Sequence, residues 1–239
     1  MTALLFREDA SLREAEALVT GHTSEGAILC DRSVFYPTGG GQPEDSGTLV
    51  WRGGRMPIAT ALKLEDGQIG LIPAEALTMP PIGTVVRQVP DWDRRHRHMR
   101  MHTARHLLCI VVRLPVTGGQ ISADRSRLDF EMPDPPSSLG LWDTALNALI
   151  ARNLPVSQGW ITKEELRATP GLVRTLSVAS HTGQGRIRLI RIGRGEDTVD
   201  LQPCGGTHVA CTGEIGRVHL SRIENKGHPN RRLSLIFAA

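Results

Sequence analysis

The sequence predicts an α+β protein in which a small β-barrel precedes a domain that mixes helices and strands. Residues 1–90 contain short apolar runs separated by Gly and Pro, such as 26–30, 47–51 and 83–87, a pattern typical of a small barrel. A long helical pattern begins only after this region, and alternating strand patterns follow it. The predicted domains are therefore residues 1–90 and 91–239.

The composition is that of an ordinary folded protein. The chain has 239 residues, of which 40% are hydrophobic and 22% charged, so that it can bury a core. It contains no run of about 18 apolar residues and does not begin with a signal-peptide pattern, so we expect no membrane association. Its four cysteines are irregularly spaced, which predicts free thiols in a reducing cytosol.

The boundary between the two predicted domains lies at residues 89–93. Pro90 disfavours a helix before it, and Asp91 or Asp93 can cap a helix that begins there. Apolar and semi-apolar residues then repeat at spacings of three and four, which predicts a helix over residues 93–113.

The remaining elements follow from periodicity and from capping patterns. An amphipathic helix is predicted over residues 139–153, and Thr162 with Glu165 forms the capping box of a short helix. Strands are predicted at 126–130, 186–192, 217–223 and 233–237. We expect the strand at 186–192 to present a basic face and residues 224–232 to form a hairpin loop.

Two pairs of potential metal ligands lie far apart in the chain. His102 and His106 are four positions apart, so one face of a helix can present both imidazoles to one ion. Cys204 and His208 repeat the spacing, and the intervening glycines allow the chain to fold back towards the same ion. Imidazole and thiolate together suit a tetrahedral divalent metal, so we predict a Zn²⁺ site with these four ligands. Cys211 is interpreted as a spare thiol.

Charge is clustered although the net charge of +3 is small. Arginines surround the first histidine pair, and Lys226, Arg231 and Arg232 form another group. Such clusters suit a polyanion such as nucleic acid, but a solvated surface explains them equally well.

A run of three glycines, Gly39, Gly40 and Gly41, lies inside the predicted barrel region. Glycine lacks a Cβ atom, so the run either forms a flexible turn or lets another surface approach the backbone closely. It is not a phosphate-binding loop, because no Gly-Lys-Ser/Thr sequence follows it.

Taken in order, several motifs resemble the editing domain of alanyl-tRNA synthetase, and most closely the free-standing AlaX alanyl-tRNA editing proteins. The matching stretches are residues 35–43, 102–106, 124–130 with Gln120 before them, 202–208, 212–216 and 226–232. They span most of the chain, and the glycine-rich stretch at 35–43 resembles the medium-length AlaX class. One departure is Arg105, at a position where a smaller residue is common in relatives.

The resemblance implies a β-barrel domain followed by an α+β editing domain with an antiparallel sheet. It also implies hydrolysis of mischarged tRNA-Ala, chiefly Ser-tRNA-Ala and secondarily Gly-tRNA-Ala, with the acceptor end of the tRNA as partner.

We assign candidate site roles to individual residues. Zn²⁺ ligands are His102, His106, Cys204 and His208, and catalytic candidates are Thr103, Gln120 and His208. Pocket and substrate contacts are assigned to Gly39, Gly40, Gly41, Gln42 and Thr117, and contacts with acceptor-stem phosphates to Lys226, Arg231 and Arg232. Thr103, Thr117 and Gln120 are the candidates for pairing with the hydroxyl of a seryl group, although Thr103 is equally explained as an internal residue of its helix turn.

Four protein ligands are one more than a catalytic zinc usually has. Either His208 is loosely held, or the metal becomes five-coordinate, or zinc only orients the substrate while a separate water attacks. Two other classes of function stay open: a nucleic-acid-binding module with a structural zinc, and a small-molecule metallohydrolase. The sequence does not determine the oligomeric state, for which a monomer is the default expectation.

Overall fold

The computed structural model describes residues 1–169, 182–183 and 185–238. The chain divides into two compact units, Met1–Gly39 with Pro43–His96 and Gly40–Gln42 with Arg97–Ala239. The predicted α+β class, with a barrel first and antiparallel sheets after it, is confirmed. The domain limits drawn from the sequence stay a prediction. Among the described residues, no helix has the length and apolar character needed to cross a membrane.

The first unit contains a closed antiparallel barrel with the strand order β2-β3-β7-β6-β5-β8. Its interior is filled by alternating side chains such as Val19, Leu49 and Val86, all of which are fully buried. Two short strands, β1 and β4, pair in parallel beside it. The elements of this unit are β1 (Ala3–Leu4), α1 (Leu5–Glu8), β2 (Ala15–His22), β3 (Ile28–Cys30), β4 (Arg32–Ser33), β5 (Gly47–Trp51), β6 (Gly54–Lys63), β7 (Ile69–Pro73) and β8 (Val85–Pro90).

A buried ion pair lies in this first unit. The side chains of Arg95 and Asp45 are 0% and 1% exposed. Arg95 Nε donates to both carboxylate oxygens at 3.0 and 2.9 Å, and Nη2 donates to the carbonyl oxygen of Val34 at 2.7 Å. The backbone N–H of Tyr36 donates to the same carboxylate at 2.7 Å. Both charges are therefore surrounded by hydrogen-bond partners, which offsets the cost of removing them from water.

The predicted long helix is α2, Trp92–Val112. The side chain of Asp91 accepts a hydrogen bond from the backbone N–H of Arg94 at 3.2 Å, which satisfies one of the free donors at the start of the helix. The helix ends where Arg113 takes a φ of 56°, a left-handed conformation common after a last helical turn.

Two shorter helices follow. Helix α3 (Leu139–Ala151) begins after Ser138, whose side chain accepts from the backbone N–H of Gly140. Helix α4 (Lys163–Ala168) has the predicted capping box, in which Thr162 and Glu165 satisfy each other's backbone N–H.

The second unit contains two antiparallel sheets. One has the order β15-β16-β10-β9, and in the other β13 pairs with β11, β12 and β14. Their strands are β9 (Val116–Ile121), β10 (Arg125–Glu131), β11 (Val156–Thr162), β12 (Thr182–Gly183), β13 (Arg186–Ile192), β14 (Asp200–Pro203), β15 (Val218–Asn225) and β16 (Asn230–Phe237). Short 3₁₀ turns lie at Gly195–Asp197 and Thr212–Ile215.

The expectation of a basic face on β13 is wrong for Arg188, whose side chain is buried. Its Nη1 donates to the carbonyl oxygens of Cys204 (3.2 Å) and Gly206 (2.7 Å), and its Nε donates to Gln158 Oε1 at 2.7 Å. The predicted alternation is also wrong, because residues 187–190 are all buried. Burial of the Arg188 guanidinium is possible because backbone carbonyls replace water as its hydrogen-bond partners. Arg188 thus holds the loop that follows β14.

Candidate metal centre

Four buried side chains converge in the second unit. His102 and His106 lie on one face of α2, while Cys204 and His208 lie in the loop after β14. Their ligand atoms all lie within 4.8 Å of one another. The Sγ atom of Cys204 is 3.4 Å from His102 Nε2 and 3.2 Å from His208 Nε2. The four residues predicted from spacing are therefore together and could hold one metal ion.

Each of the three imidazoles has a partner at the ring nitrogen that faces away from the cluster. The Nδ1 pairs are His102 with Gln42 Oε1 (2.8 Å), His106 with Asp200 Oδ2 (2.8 Å) and His208 with Thr103 Oγ1 (3.1 Å). Carbonyl and carboxylate oxygens only accept hydrogen bonds, so Nδ1 of His102 and of His106 carries a proton. In the neutral form of each ring, Nε2 then keeps the lone pair that a metal ligand needs, as in most histidine metal sites.

The tautomer of His208 follows from the hydroxyl group of Thr103, which is fully buried. That hydroxyl donates its single proton to the carbonyl oxygen of Met99 at 2.9 Å. Its oxygen can then only accept, from His208 Nδ1 and from the backbone N–H of Val209 at 3.3 Å. Thr103 therefore orients His208, and its predicted contact with a substrate hydroxyl stays a prediction.

Gln42, which we predicted to contact the substrate, is 1% exposed and is fully engaged by the protein. Its Oε1 lies 2.8 Å from His102 Nδ1 and accepts from the backbone N–H of Thr207 at 3.1 Å. Its Nε2 donates to Thr207 Oγ1 at 2.8 Å. A Cβ atom at Gly206 would collide with the ring of His102, so this close packing requires glycine. The structure places Gln42 behind His102, a candidate metal ligand, as a positioning residue, and its predicted contact with substrate stays a prediction.

The position of Gln42 leads to a testable expectation. Gln42→Ala should weaken metal binding by on the order of 10- to 100-fold, because His102 loses the partner that fixes its tautomer and orientation. Competition with a chromophoric chelator measures this affinity. Gln120→Ala, the same change on an exposed side chain, should leave the affinity unchanged. Equal metal affinity in the two variants would contradict the positioning role.

Asp200 and Gln202 support His106, and neither was predicted from the sequence to have a site role. Asp200 Oδ2 accepts from His106 Nδ1 and from Gln202 Nε2 at 2.9 Å, and both side chains are buried. Alternate residues of a strand face the same side, so Asp200 and Gln202 share one side of β14, and Cys204 follows two positions later, just after the strand ends. That alternation was the signal available in the sequence.

The environment sets the protonation of the cluster. Burial raises the pKa of the Cys204 thiol, but the imidazoles of His102 and His208 lower it by more than burial raises it. The pKa therefore lies well below its usual range. Burial lowers the pKa of His102, and it lowers that of His208 to about 3. Burial also disfavours a charged His106, yet hydrogen bonds to Asp200 and Cys204 raise its pKa to about 9. A thiolate and two neutral imidazoles are forms that bind metal, whereas His106 first has to lose a proton.

The donor set fits zinc or a similar borderline divalent metal. It combines one thiolate with three imidazoles, whereas Mg²⁺ and Ca²⁺ prefer oxygen ligands. A partner at the outer nitrogen of every histidine is also usual for metal sites.

The glycine-rich segment requires glycine at a defined point. Gly40 and Gly41 have φ values of 58° and 79°, a region that other residues rarely adopt. The carbonyl oxygen of Gly41 accepts from the backbone N–H of Ile121 at 2.7 Å, and a Cβ on Gly41 would lie 2.8 Å from the carbonyl oxygen of Gly119. Close backbone approach, not a flexible turn, therefore explains Gly41. Gly39 belongs to the first unit.

Thr117 and Gln120 lie on β9 with exposed side chains. Thr117 Oγ1 donates to Asn230 Oδ1 at 3.0 Å, and Gln120 Oε1 accepts from Arg127 Nη2. Their proposed contacts with substrate stay predictions.

The predicted basic loop is shorter than expected. Lys226 is exposed in the turn between β15 and β16, but Arg231 and Arg232 belong to β16, so the predicted loop end is wrong. Strand pairing extends this far because Arg232 lies opposite Asp129, to whose carboxylate it donates twice, at 2.6 and 2.7 Å. Arg231 Nη2 donates to the carbonyl oxygen of Pro133 at 3.0 Å. Asp129 thus offsets the charge of Arg232, whereas Lys226 faces solvent.

Comparisons with known proteins show which family the chain is related to. Residues 187–234 match the family described as "Threonyl and Alanyl tRNA synthetase second additional domain". The chain is 33% identical to the "Alanyl-tRNA editing protein AlaX-M" of Methanosarcina acetivorans, over 98% of each chain. It is 33% identical to the protein of that name from Methanosarcina mazei, over 98% of this chain and 95% of the relative. It is also 31% identical to the alanine–tRNA ligase of Pyrobaculum arsenaticum, over 93% of this chain but 25% of the ligase. The chain therefore belongs to the AlaX-M family of alanyl-tRNA editing proteins.

Proposed function

We propose that this protein is a trans-editing hydrolase that deacylates mischarged tRNA-Ala. Its main substrate is Ser-tRNA-Ala, with Gly-tRNA-Ala second, and the reaction takes place at a Zn²⁺ site formed by His102, His106, Cys204 and His208. The observation that carries the proposal is this buried cluster, in which each imidazole has an outer partner. Similarity over 98% of the chain to relatives named for alanyl-tRNA editing supports the substrate class.

The scissile bond is an ester between an amino acid and the terminal ribose of the tRNA. A zinc ion held by these four residues would supply positive charge that can polarise a carbonyl group and make nearby water more acidic. The chain's own contribution is preorganisation. Gln42, Asp200 and Thr103 keep three imidazoles in one tautomer and orientation, so that little rearrangement is needed when the substrate arrives.

The hydrogen-bond partners at Nδ1 of the three imidazoles differ in strength. This difference indicates which of the four protein ligands is held least firmly. His106 has a carboxylate partner, which makes an imidazole a stronger ligand. His208 has a hydroxyl oxygen that the backbone N–H of Val209 shares. We therefore propose His208 as the most easily released of the three imidazoles, which fits the catalytic role assigned to it.

Rejection of alanine requires polar recognition of the seryl hydroxyl. A buried group that pairs with this hydroxyl is left unpaired by alanine, which discriminates more strongly than size does. The hydroxyl of Thr103 already contacts Met99, His208 and Val209. Thr117 and Gln120 therefore become the better candidates, because their exposed side chains can exchange partners.

A deacylation assay tests the proposal directly. The purified protein is incubated with labelled Ser-tRNA-Ala, Gly-tRNA-Ala and Ala-tRNA-Ala, with and without a chelator. We expect fastest loss of the seryl group, little loss of the alanyl group, and inactivation by the chelator that added Zn²⁺ reverses. The circular dichroism spectrum is recorded after chelation as a control for folding.

Two results would favour the other classes of function. Binding of tRNA without hydrolysis, with loss of structure on chelation, would indicate a nucleic-acid-binding module with a structural zinc. Hydrolysis of small aminoacyl esters without hydrolysis of charged tRNA would indicate a small-molecule metallohydrolase.

The exposed cation at Lys226 is the sharpest test of phosphate contact. Lys226→Glu should weaken tRNA binding and reduce the slope of log K against log salt by about one, because one phosphate contact is lost. Binding is measured at several salt concentrations. Lys163→Glu, on the exposed side of α4, is the matched charge reversal and should change neither quantity. Parallel changes in both variants would indicate only a general charge effect.

We also propose that the protein acts in the cytosol as a monomer. All four cysteines are free, and Cys204 has to stay reduced to serve as a ligand. Sedimentation equilibrium of the metal-loaded protein tests the oligomeric state.

A further inference from the structure

Arg105 carries a guanidinium group that the metal centre does not use, although it directly precedes the ligand His106. Its Nε and Nη1 atoms are buried, and neither has a hydrogen-bond partner among the residues that the structure describes. Buried donors without an acceptor are unfavourable, and more so when they carry charge. The side chain as a whole is only partly buried, so the group is not sealed from solvent.

Two glycines make room for this guanidinium. A Cβ atom on Gly119 would collide with Nη2, and a Cβ atom on Gly41 would lie 3.3 Å from Nη1. Gly119 is in the middle of β9, and Gly41 is hydrogen-bonded to the end of the same strand. The backbone on two sides thus leaves the space that Arg105 occupies, which places its guanidinium between two fixed segments.

Asp129 and Cys204, whose negative charges act on Arg105, are both engaged by other groups. The carboxylate of Asp129 accepts two hydrogen bonds from Arg232, at 2.6 and 2.7 Å. The thiolate of Cys204 faces the imidazoles of the metal centre. The charge of Arg105 therefore has no hydrogen-bonded counter-ion within the described residues, and an anionic ligand would supply one.

We propose that Arg105 binds a phosphoryl oxygen of the substrate, namely that of the phosphodiester at the terminal nucleotide of the tRNA. This inference rests on the proposed function and adds a contact to it. Guanidinium groups prefer phosphate and carboxylate oxygens, whereas the ammonium group of an aminoacyl ester would be repelled. The terminal phosphodiester is the anion nearest to the scissile ester in such a substrate. Because Nη2 shares one edge of the guanidinium with Nε and another with Nη1, an oxygen that approaches Nη2 meets a second donor.

Binding of adenosine 5′-monophosphate and of adenosine by the zinc-loaded protein tests this contact without any catalytic step. We expect the wild-type protein to bind the monophosphate more tightly than adenosine by on the order of 10- to 100-fold, the range of a hydrogen-bonded charge. Arg105→Met should bring this ratio close to unity while adenosine affinity changes little. Arg125→Met removes an exposed cation from the neighbouring strand β10 and should keep the wild-type ratio.

Thermal unfolding separates ligand binding from a structural role. Arg105→Met should fold and melt at the same or a higher temperature than the wild type, because it replaces unpaired buried donors by an apolar group. Arg105→Lys keeps the charge but changes the hydrogen-bond donors. It should therefore retain only part of the preference for the monophosphate over adenosine. If Arg105→Met does not fold, the proposal is overturned, since the side chain is then needed for structure.

Other results would also overturn it. Equal wild-type affinity for the two probes, no detectable binding of the monophosphate, or an unchanged ratio in Arg105→Met each contradict the phosphate contact. An unchanged ratio combined with weaker discrimination between seryl and alanyl esters would assign Arg105 to the acyl group. Absence of deacylase activity alongside the expected probe ratios would contradict the proposed function alone, so the two failures can be told apart.

Discussion

Cys204→Ala is expected to remove both the bound metal and the deacylase activity. Cys204 supplies the only negative charge among the four ligands, and its Sγ lies 3.4 and 3.2 Å from two of the imidazole Nε2 atoms. Without the thiolate, three imidazoles remain and divalent metal affinity falls steeply. Deacylation should decrease at least on the order of 100-fold, because polarisation of the ester is lost. Metal content after gel filtration and single-turnover deacylation measure the two effects.

Cys211→Ala is the matched control, because it removes a half-buried thiol that lies outside the cluster. This variant should keep both its metal and its activity. Full activity of Cys204→Ala without bound metal would contradict every version of the zinc mechanism. If Cys204→Ala instead unfolds, the metal has a structural role, which circular dichroism shows directly.

Asp45→Asn is expected to lower the free energy of unfolding of the first unit by about 3–5 kcal/mol. The reason is Arg95, which is fully buried against this carboxylate and would keep its charge without a counter-ion. Urea unfolding followed by a probe specific to the first unit measures the change, since the chain has two compact units and need not unfold in one step.

An exposed ion pair of the same unit provides the control. Arg87 and Glu14 form a salt bridge of 3.0 Å with side chains that are 50% and 56% exposed. Glu14→Gln should therefore change the free energy of unfolding by less than about 1 kcal/mol. The double variant Asp45→Leu with Arg95→Met should recover much of the loss, because it leaves no buried charge. A small effect of Asp45→Asn alone would contradict the argument.

The candidate metal ligands could be identified without any knowledge of the fold. His102 with His106 and Cys204 with His208 each depend on a local spacing, and local geometry is a property of consecutive residues. The long helix and the small barrel were predictable for the same reason, from periodicity and from the punctuation of Gly and Pro.

The hydrogen-bond partners of those ligands depend on the packing of distant segments. Gln42, Asp200 and Thr103 come from a loop, a strand and a helix, and no local pattern states which ring nitrogen each will meet. The hairpin of β15 and β16 is longer than expected. Its strand β16 includes Arg232, which donates to Asp129 on β10, and this contact depends on strand register.

Two arginines show most clearly the difference between what local sequence predicts and what packing determines. Composition marks Arg105 and Arg188 only as charges. The Arg188 guanidinium donates to carbonyl and amide oxygens, whereas two buried donors of Arg105 have no acceptor among the described residues. Whether a charge is satisfied depends on acceptors that distant segments bring to it. For that reason the ligands could be identified from the sequence, whereas their supports and the unpaired cation beside them required the packed chain.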